Sequence, residues 1–149
     1  MPEAKEAPAS KSRPATDALV ETALSFRGVP YLNGGTDPRG FDCSGFTQYV
    51  FSRYGIRLAR GVQEQFQQGM SAKADALVPG DLVFFATLSA TTGRGATHVG
   101  IAVGDNQFVH APSSAGVVRV ERLSAAYWAA RYLGARRLSP ARAPSTGPR

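Results

Sequence analysis

Apolar positions early in the chain recur at helical spacing, and later they gather into short runs bounded by glycine, proline and aspartate. Leu19, Val20, Ala23, Leu24 and Phe26 predict one apolar side of a helix that starts at Thr16 or Asp17, runs to Arg27 and ends at Gly28. Asp42 suits the N-cap of a second helix over residues 43–54, stopped by Gly55, and a third short helix is predicted over 62–68. Residues 31–40 read as a turn-rich loop. Val78-Pro79-Gly80-Asp81 reads as a turn delivering a strand over 82–86. Further strands are predicted over 98–103, 108–111, 117–121 and 131–138, with a helical turn over 124–130. Helices first and strands later predict an α+β fold, with N-terminal helices packed on a central antiparallel sheet.

Both ends differ from this middle. Residues 1–15 are rich in Pro, Ala, Lys and Glu without apolar periodicity and read as a flexible linker; residues 140–149 read as a flexible tail. One folded domain over 16–139 remains, with no internal repeat.

The hairpin after Val103 carries a sharp expectation, because side chains alternate across a strand. A three-residue loop, Gly104-Asp105-Asn106, with Val103 opposite Gln107, puts His110 opposite Gly100, diagonal to His98 and on the same face. A two-residue loop of Asp105-Asn106 puts the two imidazoles on opposite faces unless a bulge intervenes. Gly100 and Ala102 are the small neighbours on the histidine face, and are expected to let the helix at Cys43 approach the sheet.

Composition narrows the function. The chain has 149 residues, 43% of them hydrophobic, enough for a proper core, and no run approaches the ~18 apolar residues of a membrane span. Its start lacks the apolar centre of a signal peptide, so the expectation is either a cytosolic protein or one whose export signal has been removed. The net charge is +6 and the pI about 10, which suits a polyanionic partner or a carboxylate-rich wall. Nucleic acid is not expected: no such motif is present, and the basic residues do not interleave with aromatics.

The chain has one cysteine and two histidines. Cys43 falls in the first turn of the predicted second helix, where unpaired amide N–H groups and the helix dipole favour thiolate. A lone cysteine is more often a small buried hydrophobe. Together with His98 as base and His110 as orienting partner, it makes a nucleophile set. Tyr31 is a candidate oxyanion donor beside the Cys43 N–H, or else a loop tyrosine on the core. Asp42 is a helix cap and a candidate anchor for a cationic substrate group, and Ser44 a candidate assistant to it. Zinc held by Cys43, His98, His110 and Asp42 is a rival, weakened by the lack of any short paired-ligand spacing.

Several stretches together resemble the NlpC-type cell-wall peptidases, which are papain-like cysteine endopeptidases. The carriers are Gly28-Val29-Pro30-Tyr31, Gly34-Gly35, Gly40-Phe41-Asp42-Cys43-Ser44-Gly45-Phe46, Pro79-Gly80-Asp81-Leu82-Val83-Phe84-Phe85, His98-Val99-Gly100-Ile101 and Phe108-Val109-His110-Ala111. The resemblance spans about residues 18–138. It implies a papain-like fold, with Cys43 as nucleophile, His98 as general base, His110 as third member and Tyr31 at the oxyanion site. It also implies that Asp42 and Ser44 hold the free amine of a short stem peptide, with Arg60 retained nearby. The implied substrate is the peptidoglycan stem peptide or a muropeptide, cut between D-γ-glutamate and a diamino acid such as diaminopimelate. No metal or cofactor is implied. Asn33, where an aromatic is common, and Gly61, which brings no hydroxyl after Arg60, depart from the family pattern and bear on specificity.

The expectation is thus a monomeric thiol peptidase of the periplasm, cell envelope or exterior. The alternatives are a related thiol amidase or acyltransferase acting on another amide, or an inactive wall-binding module.

Overall fold

The computed structural model describes residues 14–87 and 95–138. The predicted linker up to residue 13 and the tail over 140–149 lie outside them, as does most of the glycine-rich stretch before His98. Helix α1 (Pro14–Ser25) starts earlier than expected and takes in Pro14 and Ala15. Proline's fixed φ suits a first helical position, where its missing N–H costs nothing. The helix buries Leu19, Val20 and Ala23.

The loop over 31–40 is more ordered than its turn residues suggest. It holds a two-stranded ribbon, β1 (Thr36–Asp37) and β2 (Gly40–Phe41), which leads directly into α2 (Cys43–Ser52). Asp42 caps α2 as expected, its Oδ1 accepting the Gly45 N–H at 2.7 Å. A Cβ on Gly45 would stand 2.0 Å from the Gly35 carbonyl oxygen, so only glycine lets the ribbon lie this close to the start of the helix. The helix ends two residues early, before Gly55 at φ +82°.

Helix α3 (Val62–Gln65) is one turn long. After it come two elements the sequence pattern did not reveal, β3 (Met70–Ala72) and a 3₁₀ turn (Ala74–Ala76). The remaining strands are β4 (Leu82–Phe85), β5 (His98–Gly104), β6 (Gln107–His110), β7 (Arg119–Arg122) and β8 (Tyr132–Arg137), with the short helix α4 (Ala126–Ala129) before β8. They lie within a residue or two of expectation. With β3 they form one six-stranded sheet, ordered β3-β8-β4-β5-β6-β7 and antiparallel at every pairing. The Pro79-Gly80-Asp81 motif is structural: buried Asp81 accepts the Val78 N–H at 2.9 Å and pairs with Arg137 through two bonds of 2.8 and 3.0 Å.

Alternation along the strands divides the core. Leu82, Phe84, Val99, Ile101 and Val109 face the helices, packing with Phe46, Val50 and Phe51 of α2. Val83, Phe85, Ala102, Phe108 and Ala135 face the other way and are covered by Trp128 of α4.

The hairpin between β5 and β6 resolves the register question with a bulge. Asp105 and Asn106 form a two-residue turn with φ of +55° and +65°, the left-handed pair that matches strand twist, and Gly104 lies opposite Gln107. Val103, expected opposite Gln107, is the extra residue between the pairs Ala102–Phe108 and Gly104–Gln107. The bulge restores His110 opposite Gly100. Gly100 and Ala102 do not admit the Cys43 helix, because alternation turns them to the Trp128 side. At Gly100 a Cβ would meet Phe108 Cδ2 at 2.8 Å and His110 Cβ at 3.0 Å, so its bareness makes room for that ring and for the imidazole.

Candidate active site

His98 opens β5 and His110 closes β6, so the register alone brings the two imidazoles together. His98 Nε2 lies 2.7 Å from His110 Nδ1, and both rings are buried. The Trp128 ring stacks on His98 with centroids 5.2 Å apart, and it meets His110 edge-on at 5.0 Å. Beyond His110 stands a residue the sequence reading did not single out: Glu121 on β7, with Oε2 3.0 Å from His110 Nε2. Its other oxygen, Oε1, accepts the Trp128 indole N–H at 2.9 Å. Glu121 lies opposite Phe108 and so shares a face with His110, a placement the strand pattern contained once the register of β7 was known.

Cys43 approaches from the other side, at the N-terminus of α2. Its sulfur is faced by the backbone N–H of Val99, the residue after His98, and by the N–H groups of Ser44 and Cys43 itself, all of which favour thiolate. Burial outweighs them. Desolvation, helped by the Asp42 charge, pushes the Cys43 thiol up to about 11. Burial likewise holds His98 down to about 3, with His110 adding to the drop and Glu121 opposing it. His110 is also held down to about 3 by burial, then by Arg119. The N–H groups at the helix start thus favour thiolate, as expected, while burial opposes them, shifting the thiol upward and both imidazoles downward.

Tyr31 is fixed by its backbone, its N–H donating to Gly116 O at 2.8 Å and the residue bridging to Phe41. Its phenol is held above the ordinary tyrosine range by partial burial, then by the nearness of Cys43 and Asp42. Tyr31 thus borders the Cys43 site.

Asp42, Ser44 and Arg60 form one cluster. Arg60 Nη2 and Nη1 donate to Asp42 Oδ2 and Oδ1 at 2.8 and 3.2 Å, and Nη1 donates to Ser44 Oγ at 2.9 Å. The segment carrying Arg60 is tied to α2 by Gln65, a buried residue outside the sequence expectations. Gln65 donates to Ser44 O at 3.2 Å and Ala59 O at 2.8 Å, and accepts from Thr47 Oγ1 at 2.8 Å. Of the seven expected residues, His98 and His110 bond each other, Asp42, Ser44 and Arg60 form a charged cluster, and Cys43 and Tyr31 lie close to one another beside that cluster. Among the described residues no group of three or more His, Cys, Asp or Glu side chains is placed to hold a metal ion.

A single thiol at a helix N-terminus lies beside a sheet that presents two bonded imidazoles, residue types suited to nucleophilic chemistry. The chain belongs to the NlpC/P60 family, whose profile matches residues 28–137. It is 39% identical over 125 residues to a gamma-DL-glutamyl hydrolase of Bacillus subtilis, covering 83% of this chain and 30% of that one. Over 121 residues it is 41% identical to the murein DD-endopeptidase MepS/murein LD-carboxypeptidase of Escherichia coli K12, covering 80% of this chain and 61% of that one. A crystal structure of an NlpC/P60 family protein from Bacillus cereus superposes with a TM-score of 0.77 at 34% identity, covering 84% of this chain and 40% of that one. The chain thus spans about a third to two thirds of the length of these relatives.

Proposed function

We propose that this protein is a cysteine endopeptidase of peptidoglycan that cuts stem peptides at the amide between D-γ-glutamate and a diamino acid such as diaminopimelate. The observation that carries the reading is the buried 2.7 Å contact of His98 with His110, at the ends of two central strands, where the Val99 N–H faces the Cys43 sulfur. Family membership and the γ-glutamyl activity named for the Bacillus relative support it. The murein activities named for the E. coli relative support the wall as substrate.

In this reading His98 Nε2 is committed to His110, which leaves Nδ1 to take the thiol proton. The Cys43 sulfur attacks the scissile carbonyl, and the proton passes to His98 as the tetrahedral intermediate forms. The Cys43 N–H and the Tyr31 hydroxyl donate to the oxyanion. The imidazolium of His98 returns the proton to the leaving amine, and a thioester remains on Cys43. Water, deprotonated by His98, adds to the thioester; the carboxylic acid leaves and the thiol is restored. His110 orients His98 throughout. Asp42 and Ser44 receive the free amine of the stem peptide, which then shares Asp42 with Arg60 or displaces it. No metal or cofactor takes part. The place of action is outside the cytoplasm, at the wall; among the described residues no helix is long and apolar enough to cross a membrane.

The test is a synthetic stem peptide containing the γ-D-glutamyl–diaminopimelate bond, incubated with wild type and His98→Ala. Wild type yields the two fragments and His98→Ala does not. Fragments from both proteins in equal amount would remove His98 from the reaction.

A further inference from the structure

We propose that Glu121 sets the tautomers of both histidines, acting through His110 so that His98 keeps a bare Nδ1 for the thiol proton. Glu121 is a positioning residue in this account, and its role in turnover rests on the hydrolase reading above.

An ionised carboxylate only accepts hydrogen bonds. His110 Nε2, 3.0 Å from Glu121 Oε2, must therefore carry the hydrogen. A neutral imidazole has one N–H, so His110 Nδ1 is bare and accepts. At 2.7 Å it accepts from His98 Nε2, which must then carry His98's only hydrogen. His98 Nδ1 is left as a lone pair. Burial holds both imidazoles toward the neutral form, the form in which a tautomer choice exists. The carboxylate charge also favours the imidazolium that His98 becomes during turnover.

Trp128 makes the arrangement directional. Its indole N–H only donates, and it holds Glu121 Oε1 at 2.9 Å. Among the described residues, Arg119 also pairs with the carboxylate; it is half exposed, with Nε 3.7 Å from Oε2. A glutamine at position 121 has one oxygen and one amide nitrogen. Buried Trp128 claims the oxygen, since pairing its N–H with the amide nitrogen would oppose two donors. Arg119 can turn to water. The amide then donates to His110 Nε2, His110 donates from Nδ1 to His98 Nε2, and His98 carries its hydrogen on Nδ1. The whole relay reverses and the base is lost without removal of either histidine.

The chain has two histidines, which makes the test direct. Ring-nitrogen NMR of ¹⁵N-histidine-labelled protein near neutral pH reads both tautomers in wild type, E121Q, W128F and E121Q/W128F, and turnover of the stem peptide is measured alongside. Wild type and W128F should show Nε2–H on both rings. E121Q should show Nδ1–H on both, with kcat down roughly a thousandfold and KM little changed. In E121Q/W128F the oxygen is free to face His110, so both rings return to Nε2–H and kcat recovers by about tenfold or more. Nε2–H on both rings in E121Q would overturn the proposal, as would reversed tautomers with undiminished kcat. If wild type cleaves nothing while E121Q reverses both rings, the tautomer claim stands and the hydrolase reading falls, so the two fail separately.

Discussion

His110 stands opposite Gly100, two residues along β5 from His98, and that offset sets its Nδ1 2.7 Å from His98 Nε2. The room for this contact comes from the missing side chain at Gly100, where a Cβ would press on Phe108 and His110 at 2.8 and 3.0 Å. Gly100→Ala should cost about 1–3 kcal/mol of stability by overpacking. Activity should fall further than stability, because the displaced group is an imidazole of the relay. Thermal unfolding and peptide turnover of the same preparation check this; a stable variant with wild-type kcat contradicts it.

Burial pushes the Cys43 thiol up to about 11, against the N–H groups that favour thiolate. Alkylation by a small neutral reagent should therefore be slow at neutral pH and keep rising well into alkaline solution. A rate already level through mildly acidic pH would indicate a standing thiolate–imidazolium pair instead.

Acid should unfold the domain through its histidines. Both are held near 3 in the fold, below their ordinary 6.5, so the unfolded chain binds protons first as pH falls. Their contribution is complete above about pH 6.5 and is lost progressively toward pH 3. Melting temperature against pH should bend downward below about 6.5, and replacing both histidines with glutamine should flatten that bend. An unchanged bend in the double variant would assign the loss to other groups.

The Asp42–Arg60 pair is bidentate, yet Arg60 is 43% exposed. Arg60→Gln should change stability by less than about 1 kcal/mol, since solvent screens the pair. Asp42→Asn should raise KM for stem peptides with a free amino terminus by roughly tenfold, with kcat little altered. An N-acetylated peptide should not respond to the substitution. Equal KM increases for both peptides would remove Asp42 from amine recognition.

Much of the fold was legible in the chain. The α+β order followed from where helical spacing gives way to short apolar runs, and Asp42 announced the start of α2 because a cap is a local matter between one side chain and nearby N–H groups. What escaped was set by distant partners. Strand β3 is only three residues long and exists through its pairing with β8. The bulge at Val103 depends on closing the Asp105-Asn106 turn while keeping both strand faces in register. Side-chain alternation predicted a shared histidine face, but which layer covers that face was decided by α4 and Trp128, far along the chain. The site shows the same division. Cys43, His98 and His110 stood out by scarcity and setting. Glu121 and Gln65 are common residue types whose importance lies wholly in what they touch.

The proposed reaction depends on Cys43 as the nucleophile that cuts stem peptides. Purified peptidoglycan and soluble muropeptides, digested in parallel with wild type and Cys43→Ala and read by mass spectrometry, test it most directly. Wild type alone should give new fragments, with masses that place the cut after D-γ-glutamate. Equal fragments from Cys43→Ala, or intact substrates with a wild type whose thiol still reacts, would contradict it.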